Sequence, residues 1–200
     1  MPFAAIGMLT GIAGGLVLFT SRSWLRCLAA QGAAYLGVFL ILLGQTAEGA
    51  NTSELAAIRL VGGWMALAVL GATSSQGSRE AIEEDAGFVF RFLLFGLIFM
   101  VAWSLSSGTM EWIPGVGFEG AVVGFMLLLS GLLRTGLVRG PMQVILSLLS
   151  GFSGFEMLFS AIDSSALMAA MLAASSLGLA LAGAYLGTNS DAGEEAGDTA

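Results

Sequence analysis

The chain has no lysine and no histidine, and it has a single cysteine, Cys27. Without lysine it cannot form a Schiff base with retinal or pyridoxal. Without histidine it lacks the commonest ligand of haem, zinc and copper, and the usual proton shuttle at neutral pH. One cysteine cannot form an internal disulfide or hold an iron–sulfur cluster. We therefore expect no cofactor, no metal site and no catalytic centre of its own.

Charged residues are also scarce. They make up 10% of the 200 residues, whereas 56% are hydrophobic, and the mean hydropathy is +0.89. A soluble domain of this length carries about a quarter charged residues. Most of this surface must therefore face lipid or other apolar protein, which predicts an integral membrane protein. The sequence has no basic strip, so nucleic acid is excluded as a partner.

Seven apolar runs are long enough to cross a bilayer, which takes about 20 helical residues. Unpaired backbone groups are not tolerated in lipid, and runs of this length are typical of helices rather than barrel strands. The sequence thus predicts an all-α fold with seven transmembrane helices. The predicted spans are Phe3–Thr20, Trp24–Gly44, Leu55–Thr73, Gly87–Leu105, Val116–Leu133, Pro141–Ile162 and Ala166–Leu186.

The arginines predict the orientation. Six of the seven lie in, or within a turn or two of, the loops on one side, and only Arg59 lies inside a predicted span away from them. The six are Arg22, Arg26, Arg79, Arg91, Arg134 and Arg139. By the positive-inside rule that side is cytoplasmic. We expect a multi-pass protein of the cell's inner (plasma) membrane, with its N-terminus outside and its C-terminus in the cytoplasm.

Spans one to three and five to seven have the same layout. In each group the first span leads through a short arginine-bearing turn, SRSWLR or RTGLVRG, into a long second helix. That second helix carries Gln31 in one group and Gln143 in the other. The pattern predicts two parallel three-helix repeats, residues 1–73 and 108–186. An acidic cytoplasmic loop and linker helix, residues 74–107, join them, and residues 187–200 are expected to form a disordered acidic cytoplasmic tail.

Glu156 is the deepest charged residue of any predicted span. A charged side chain inside a membrane costs roughly 2.5–3.5 kcal/mol, so it is a candidate for function. At about 100° per residue, Ser153, Glu156, Ser160 and Asp163 share one helix face. Hydroxyls beside a carboxyl can pass protons by alternating donor and acceptor roles. Glu156 is either a proton carrier or a carboxyl that fixes helix packing.

Arg59 is the second intramembrane charge. Its long side chain either extends outward to Glu54, five residues earlier, or pairs with a carboxylate of another span or subunit. Asp163, at the outer end of the sixth span, is most simply a solvated residue. These residues are the candidate proton path: Glu156, Ser153, Ser160, Asp163 and Arg59.

The last three spans resemble the small K-type membrane subunit of respiratory complex I. The whole chain is similar to the E component of hydrogenase-4 and formate hydrogenlyase complexes. The resemblance is carried by the Gly131–Arg139 exit, by GFEM at 154–157 and by SLGLAL at 176–181. It implies a subunit packed against antiporter-like subunits, with Glu156 matching a proton-carrying glutamate. Two departures stand against this: Glu156 lies 17 residues after Arg139, and residues 173–176 contain no second carboxylate.

Three hypotheses follow. The first is a non-catalytic membrane subunit of a complex I-like or hydrogenase-like assembly that assists proton or sodium translocation. The second is a structural scaffold whose glycine- and alanine-rich faces bind partner helices. The third is a small stand-alone transporter built from two repeats.

Overall fold

The computed structural model describes residues 2–21, 23–45, 52–74, 87–113, 115–138, 140–163 and 165–197. Within these ranges the chain forms seven helices and no strand. Each helix is long and apolar enough to cross a membrane, so the chain is an all-helical, multi-pass membrane protein. The helices are α1 (Pro2–Thr20), α2 (Trp24–Gln45), α3 (Thr52–Ser74), α4 (Phe88–Trp112), α5 (Phe118–Leu137), α6 (Pro141–Phe159) and α7 (Ala166–Gly197).

Several helix ends differ from the predicted ones. Helix α4 continues to Trp112 rather than stopping at Leu105, and α5 continues through Arg134 to Leu137. Helix α6 ends three residues early, at Phe159. Apolar periodicity marks where a run can lie in lipid, but a helix also continues into polar sequence when nothing breaks it. Arg134, predicted to lie in a loop, is therefore inside a helix.

The C-terminal segment is also helical where disorder was expected. Helix α7 runs beyond Leu186 to Gly197, so most of the predicted disordered tail is a continuation of the last span. The segment contains no proline, and its alanines and glutamates are good helix formers. The predicted acidic loop at 75–86 lies outside the described residues, as do Arg22 and Arg139.

Two helix pairs, α1 with α2 and α5 with α6, pack antiparallel through glycines. A Cβ atom at Gly14 would lie 2.8 Å from the backbone of both Ala30 and Ala34. A Cβ atom at Gly131 would likewise overlap the backbone of Ser147 and Gly151. Only glycine allows two backbones to come this close, which is how helices gain packing energy in lipid.

The same close approaches occur in both pairs at a constant separation of 117 residues, as between Gly14 and Gly131. In the α1–α2 pair, Gly7 packs against Gly37 and Ile41, Gly14 against Ala30 and Ala34, and Gly37 against Gly7 and Gly11. In the α5–α6 pair, Gly124 packs against Gly154 and Leu158, Gly131 against Ser147 and Gly151, and Gly154 against Gly124 and Leu128. The two pairs therefore pack in one geometry.

The helices form two rows, α1–α2–α3 and α5–α6–α7, with α4 beside α1 and α5. Each helix of the first row contacts its counterpart in the second: α1 meets α5, α2 meets α6, and α3 meets α7. Gly11 faces Val123 and Gly15 faces Met126, so α1 and α5 run in the same direction. It follows that α2 and α6 are also parallel. We call the end where α1 and α5 finish the arginine end.

Candidate functional site

Glu156 lies near the end of α6, inside the bundle, with 6% of its surface exposed. It lines a small cavity between the two rows of helices. The volume open to the centre of a water-sized sphere is about 10 Å³, which is room for about one water molecule. The other polar side chains of this cavity come from three helices: Tyr35 on α2, Arg59 on α3 and Ser153 on α6. The remaining lining is apolar, so the four polar groups face one another rather than solvent.

Arg59 is buried, with 7% of its surface exposed, and shares the cavity with Glu156. The two charges attract each other across the cavity, although their atoms are not within ion-pair distance. Glu54 is exposed to the outside of the bundle. Arg59 therefore shares a cavity with a carboxylate of another span, Glu156, without forming an ion pair with it.

The guanidinium group of Arg59 has hydrogen-bond donors without acceptors. Its Nε and Nη2 atoms are buried and have no hydrogen-bond partner. A buried donor without a partner loses its full hydration energy, and the cost is larger for a charged group. The attraction of Glu156 offsets part of this cost, and a water molecule in the cavity would offset more.

Ser153 and Ser160 bond to their own helix rather than to Glu156. The Ser153 hydroxyl donates to the carbonyl of Ser150 at 2.8 Å, and the Ser160 hydroxyl donates to the carbonyl of Met157 at 2.6 Å. Each oxygen keeps lone pairs that can accept a further hydrogen bond. Ser153 lines the cavity, whereas Ser160 caps the C-terminus of α6.

Asp163 lies in the turn after α6 and orders the connection to α7. Its carboxylate accepts a hydrogen bond from the backbone N–H of Ser165 at 2.8 Å. It also interacts electrostatically with Arg59. The structure thus brings Glu156, Ser153 and Arg59 to one cavity, while Ser160 and Asp163 follow at the end of α6.

Two features of this region were not found in the sequence. Tyr35 was missed because an aromatic residue in an apolar run has no pattern that separates a site from lipid-facing sequence. Arg134 was assigned to a loop, but it is buried, and its Nη2 donates to the sulfur of Cys27 at 3.2 Å. Cys27 itself is buried.

The cavity offers few groups that could hold a metal ion. No group of three or more histidine, cysteine or acidic side chains lies together in the part of the chain that the structure describes. Glu156 is the one carboxylate lining the cavity, and the positive charge of Arg59 beside it repels a metal cation. The cavity instead brings together a carboxylate, a phenol and a hydroxyl. Each of these groups can accept a hydrogen bond.

The chain has no significant match among protein-family models, curated proteins or solved structures. Its function must therefore follow from the geometry of the site.

Proposed function

We propose that the chain is a non-catalytic membrane subunit that contributes to proton translocation within a larger complex I-like or hydrogenase-like assembly. The observation that carries this proposal is the burial of Glu156 and Arg59 at one cavity between two rows of membrane-spanning helices. Charged groups at such depth are costly and typically mark ion pathways. The resemblance to the K-type subunit and the hydrogenase-4 E component agrees with this role.

Glu156 is the proton carrier in this proposal. It takes up a proton from one side and releases it to the other, while Arg59 stabilises the ionised carboxylate between the two steps. Ser153 and Tyr35 supply hydroxyl groups that can donate and accept at the same time. Sodium would need several oxygen ligands in place of the guanidinium, so we propose the proton as the coupling ion.

The proposed architecture is two parallel three-helix repeats joined by α4. It is supported by the glycine contacts that recur 117 residues apart and by the contacts between corresponding helices. In this register Gln31 corresponds to Leu148, so Gln31 and Gln143 are not equivalent. Phe39 corresponds to Glu156, which means that the carboxylate belongs to the second unit alone.

We place the arginine end in the cytoplasm and the N-terminus outside. Arg26 and Arg91 lie in the first turns of α2 and α4 at this end, and Arg134 lies in the last turn of α5. At the opposite end, Glu54 and Glu119 occupy the first turns of α3 and α5. The arginines fit the positive-inside rule, and the acidic residues are favourable at helix N-termini.

The decisive experiment is Glu156→Gln in the intact assembly. We expect proton translocation in inverted membrane vesicles to fall at least tenfold, with electron transfer driven by the native donor. Glu54→Gln, which removes an exposed carboxylate, is the matched control and should leave translocation unchanged. Normal pumping by a fully assembled Glu156→Gln variant would remove Glu156 from the path.

The other two candidate functions are separated by purification. A tagged chain isolated in mild detergent should carry further membrane subunits, and a lone 20.5 kDa species would contradict an assembly. A stand-alone transporter has one observation in its favour, the site between the two rows. The described helices run without the breaks that usually form a central transport site, which favours the assembly. If the chain is only a structural scaffold, substitutions of the cavity residues should leave proton pumping intact.

A further inference from the structure

Several buried polar atoms of the described residues have no hydrogen-bond partner. Eight such side-chain atoms occur in the described residues, and all eight belong to five side chains. These are Trp24, Gln31, Arg59, Arg134 and Ser150. Native proteins satisfy most buried polar groups, so each exception requires an explanation, commonly a bound water molecule. All five lie on α2 or α6, or on a helix that meets one of these two through a contact or the Glu156 cavity, which points to a shared cause.

The first group of polar side chains lies on one face of α2. Trp24, Cys27, Gln31 and Tyr35 are three or four residues apart, so they lie on one face of the helix. At the arginine end Cys27 contacts Arg134 of α5, and at the other end Tyr35 lines the Glu156 cavity. Gln31 lies between them and is fully buried. Its amide interacts with Tyr35, one turn away, but neither its nitrogen nor its oxygen has a partner in hydrogen-bond geometry.

Helix α6 supplies the opposite wall. Tyr35 and Ser153 line the same cavity, so they lie at one level of the bundle. Gln31 is one turn before Tyr35 and Ser150 is one turn before Ser153. Because α2 and α6 are parallel, Gln31 and Ser150 also lie at one level. Ser150 is fully buried, and its hydroxyl has no partner.

We infer that a column of bound water runs between α2 and α6, from Arg134 and Cys27 through Gln31 and Ser150 to the cavity of Glu156 and Arg59. Each unpartnered atom is a hydrogen-bonding position for such a water, which typically needs two to four polar partners. The dimensions favour water over a larger ligand, since the cavity beside Glu156 has room for about one molecule.

The role of the water column rests on the proposed function, because the column would supply protons to Glu156. The presence of the water does not depend on that function. The column would connect the arginine end to the carboxylate that carries the proton. Gln31 can donate and accept at once, so it can order neighbouring waters in either direction. Arg134 at the mouth disfavours the entry of metal cations, because a buried guanidinium is permanently charged.

Radiolytic hydroxyl-radical footprinting of the assembled protein tests the column directly, because radicals form from bound water. We expect oxidation of Tyr35, although only 5% of its surface is exposed. Met126 is fully buried in an apolar cluster formed by α1, α2, α4, α5 and α6, and it is the internal control. Methionine is intrinsically at least as reactive as tyrosine towards hydroxyl radicals. A Tyr35 as unlabelled as Met126 would overturn the inference without any variant being made.

Gln31→Leu sharpens the test by removing both polar atoms of the side chain. We expect labelling of Tyr35 to fall at least threefold, whereas Ser106→Ala should leave it unchanged. Ser106 is also fully buried, but its hydroxyl is satisfied by the Ala102 carbonyl of its own helix α4. Equal labelling of Tyr35 in Gln31→Leu and in the unaltered protein would exclude a column past Gln31.

The two proposals fail in different ways. Labelling of Tyr35 that is lost in Gln31→Leu, together with normal pumping by Glu156→Gln, would keep the water column and reject proton transport by Glu156. Unlabelled Tyr35 together with lost pumping by Glu156→Gln would reject the column and keep the carrier.

Discussion

The guanidinium group of Arg134 lies against the thiol of Cys27, with Nη2 3.2 Å from the sulfur. The two residues are 107 positions apart and tie the end of α5 to the start of α2. Both side chains are buried, and Nε and Nη1 of Arg134 have no partner at all. The sulfur is therefore the one acceptor that the structure gives to a buried, permanently charged group.

Cys27→Ala should destabilise the protein because it removes this acceptor. Hydrogen bonds to charged groups contribute about 1.5–3 kcal/mol, and a buried charged donor left unpaired costs at least as much. We expect a loss of about 2 kcal/mol, measured by reversible unfolding of the purified protein in mixed micelles. Cys27→Ser keeps an acceptor and should retain most of the stability. Equal stability of the alanine and serine variants would show that the sulfur is only a space-filling group.

Arg59 and Glu156 should be energetically coupled. Removing one member of a buried charge pair leaves the other uncompensated, which costs about 3–5 kcal/mol, whereas replacing both is far milder. We therefore expect Arg59→Leu to destabilise strongly, and Arg59→Leu with Glu156→Gln to recover much of that loss. A double-mutant cycle of unfolding free energies measures the coupling. Additive effects would mean that the two groups do not sense each other across the cavity.

The seven spans could be predicted from the sequence because hydrophobic length is a local property. The starts of α2, α6 and α7 were correct to the residue, since Trp24, Pro141 and Ala166 each follow a short polar turn. Helix ends were less accurate, because a helix in lipid stops where its backbone is capped rather than where its hydropathy falls. Ser160 shows this, as its backbone N–H donates to the carbonyl of Glu156 where α6 ends.

The site could be predicted only in part. Glu156 and Arg59 stood out individually, because charge inside a span is rare. Their meeting at one cavity depends on the stacking of the two helix rows, which no spacing within a single span reveals. The recurrence of the helix contacts 117 residues apart was also not visible in the sequence, because it involves backbone approaches at glycines such as Gly14 and Gly131.

The orientation is open to a direct test. In a Cys27→Ser background, Glu54→Cys and Thr188→Cys place single thiols on exposed positions at opposite ends of the bundle. By the positive-inside rule we expect a membrane-impermeant maleimide to label the Glu54 position in intact cells. The Thr188 position should react only after the membrane is permeabilised. The reverse pattern would place the arginine end outside and reject the proposed topology.

The glycine contacts predict that equivalent positions respond alike. A methyl group at Gly14 or Gly131 would strike the backbone of the facing helix, so Gly14→Ala and Gly131→Ala should each force a helix pair apart. Overpacking of this kind costs about 1–3 kcal/mol. Gly96→Ala is the matched control on α4, where a Cβ would meet nothing within 4 Å, and it should be neutral or stabilising by about 0.5–1 kcal/mol. Unfolding free energies in mixed micelles give the comparison. If Gly131→Ala behaved like Gly96→Ala while Gly14→Ala did not, the two helix pairs would not share one packing geometry, and the repeat would lose its main support.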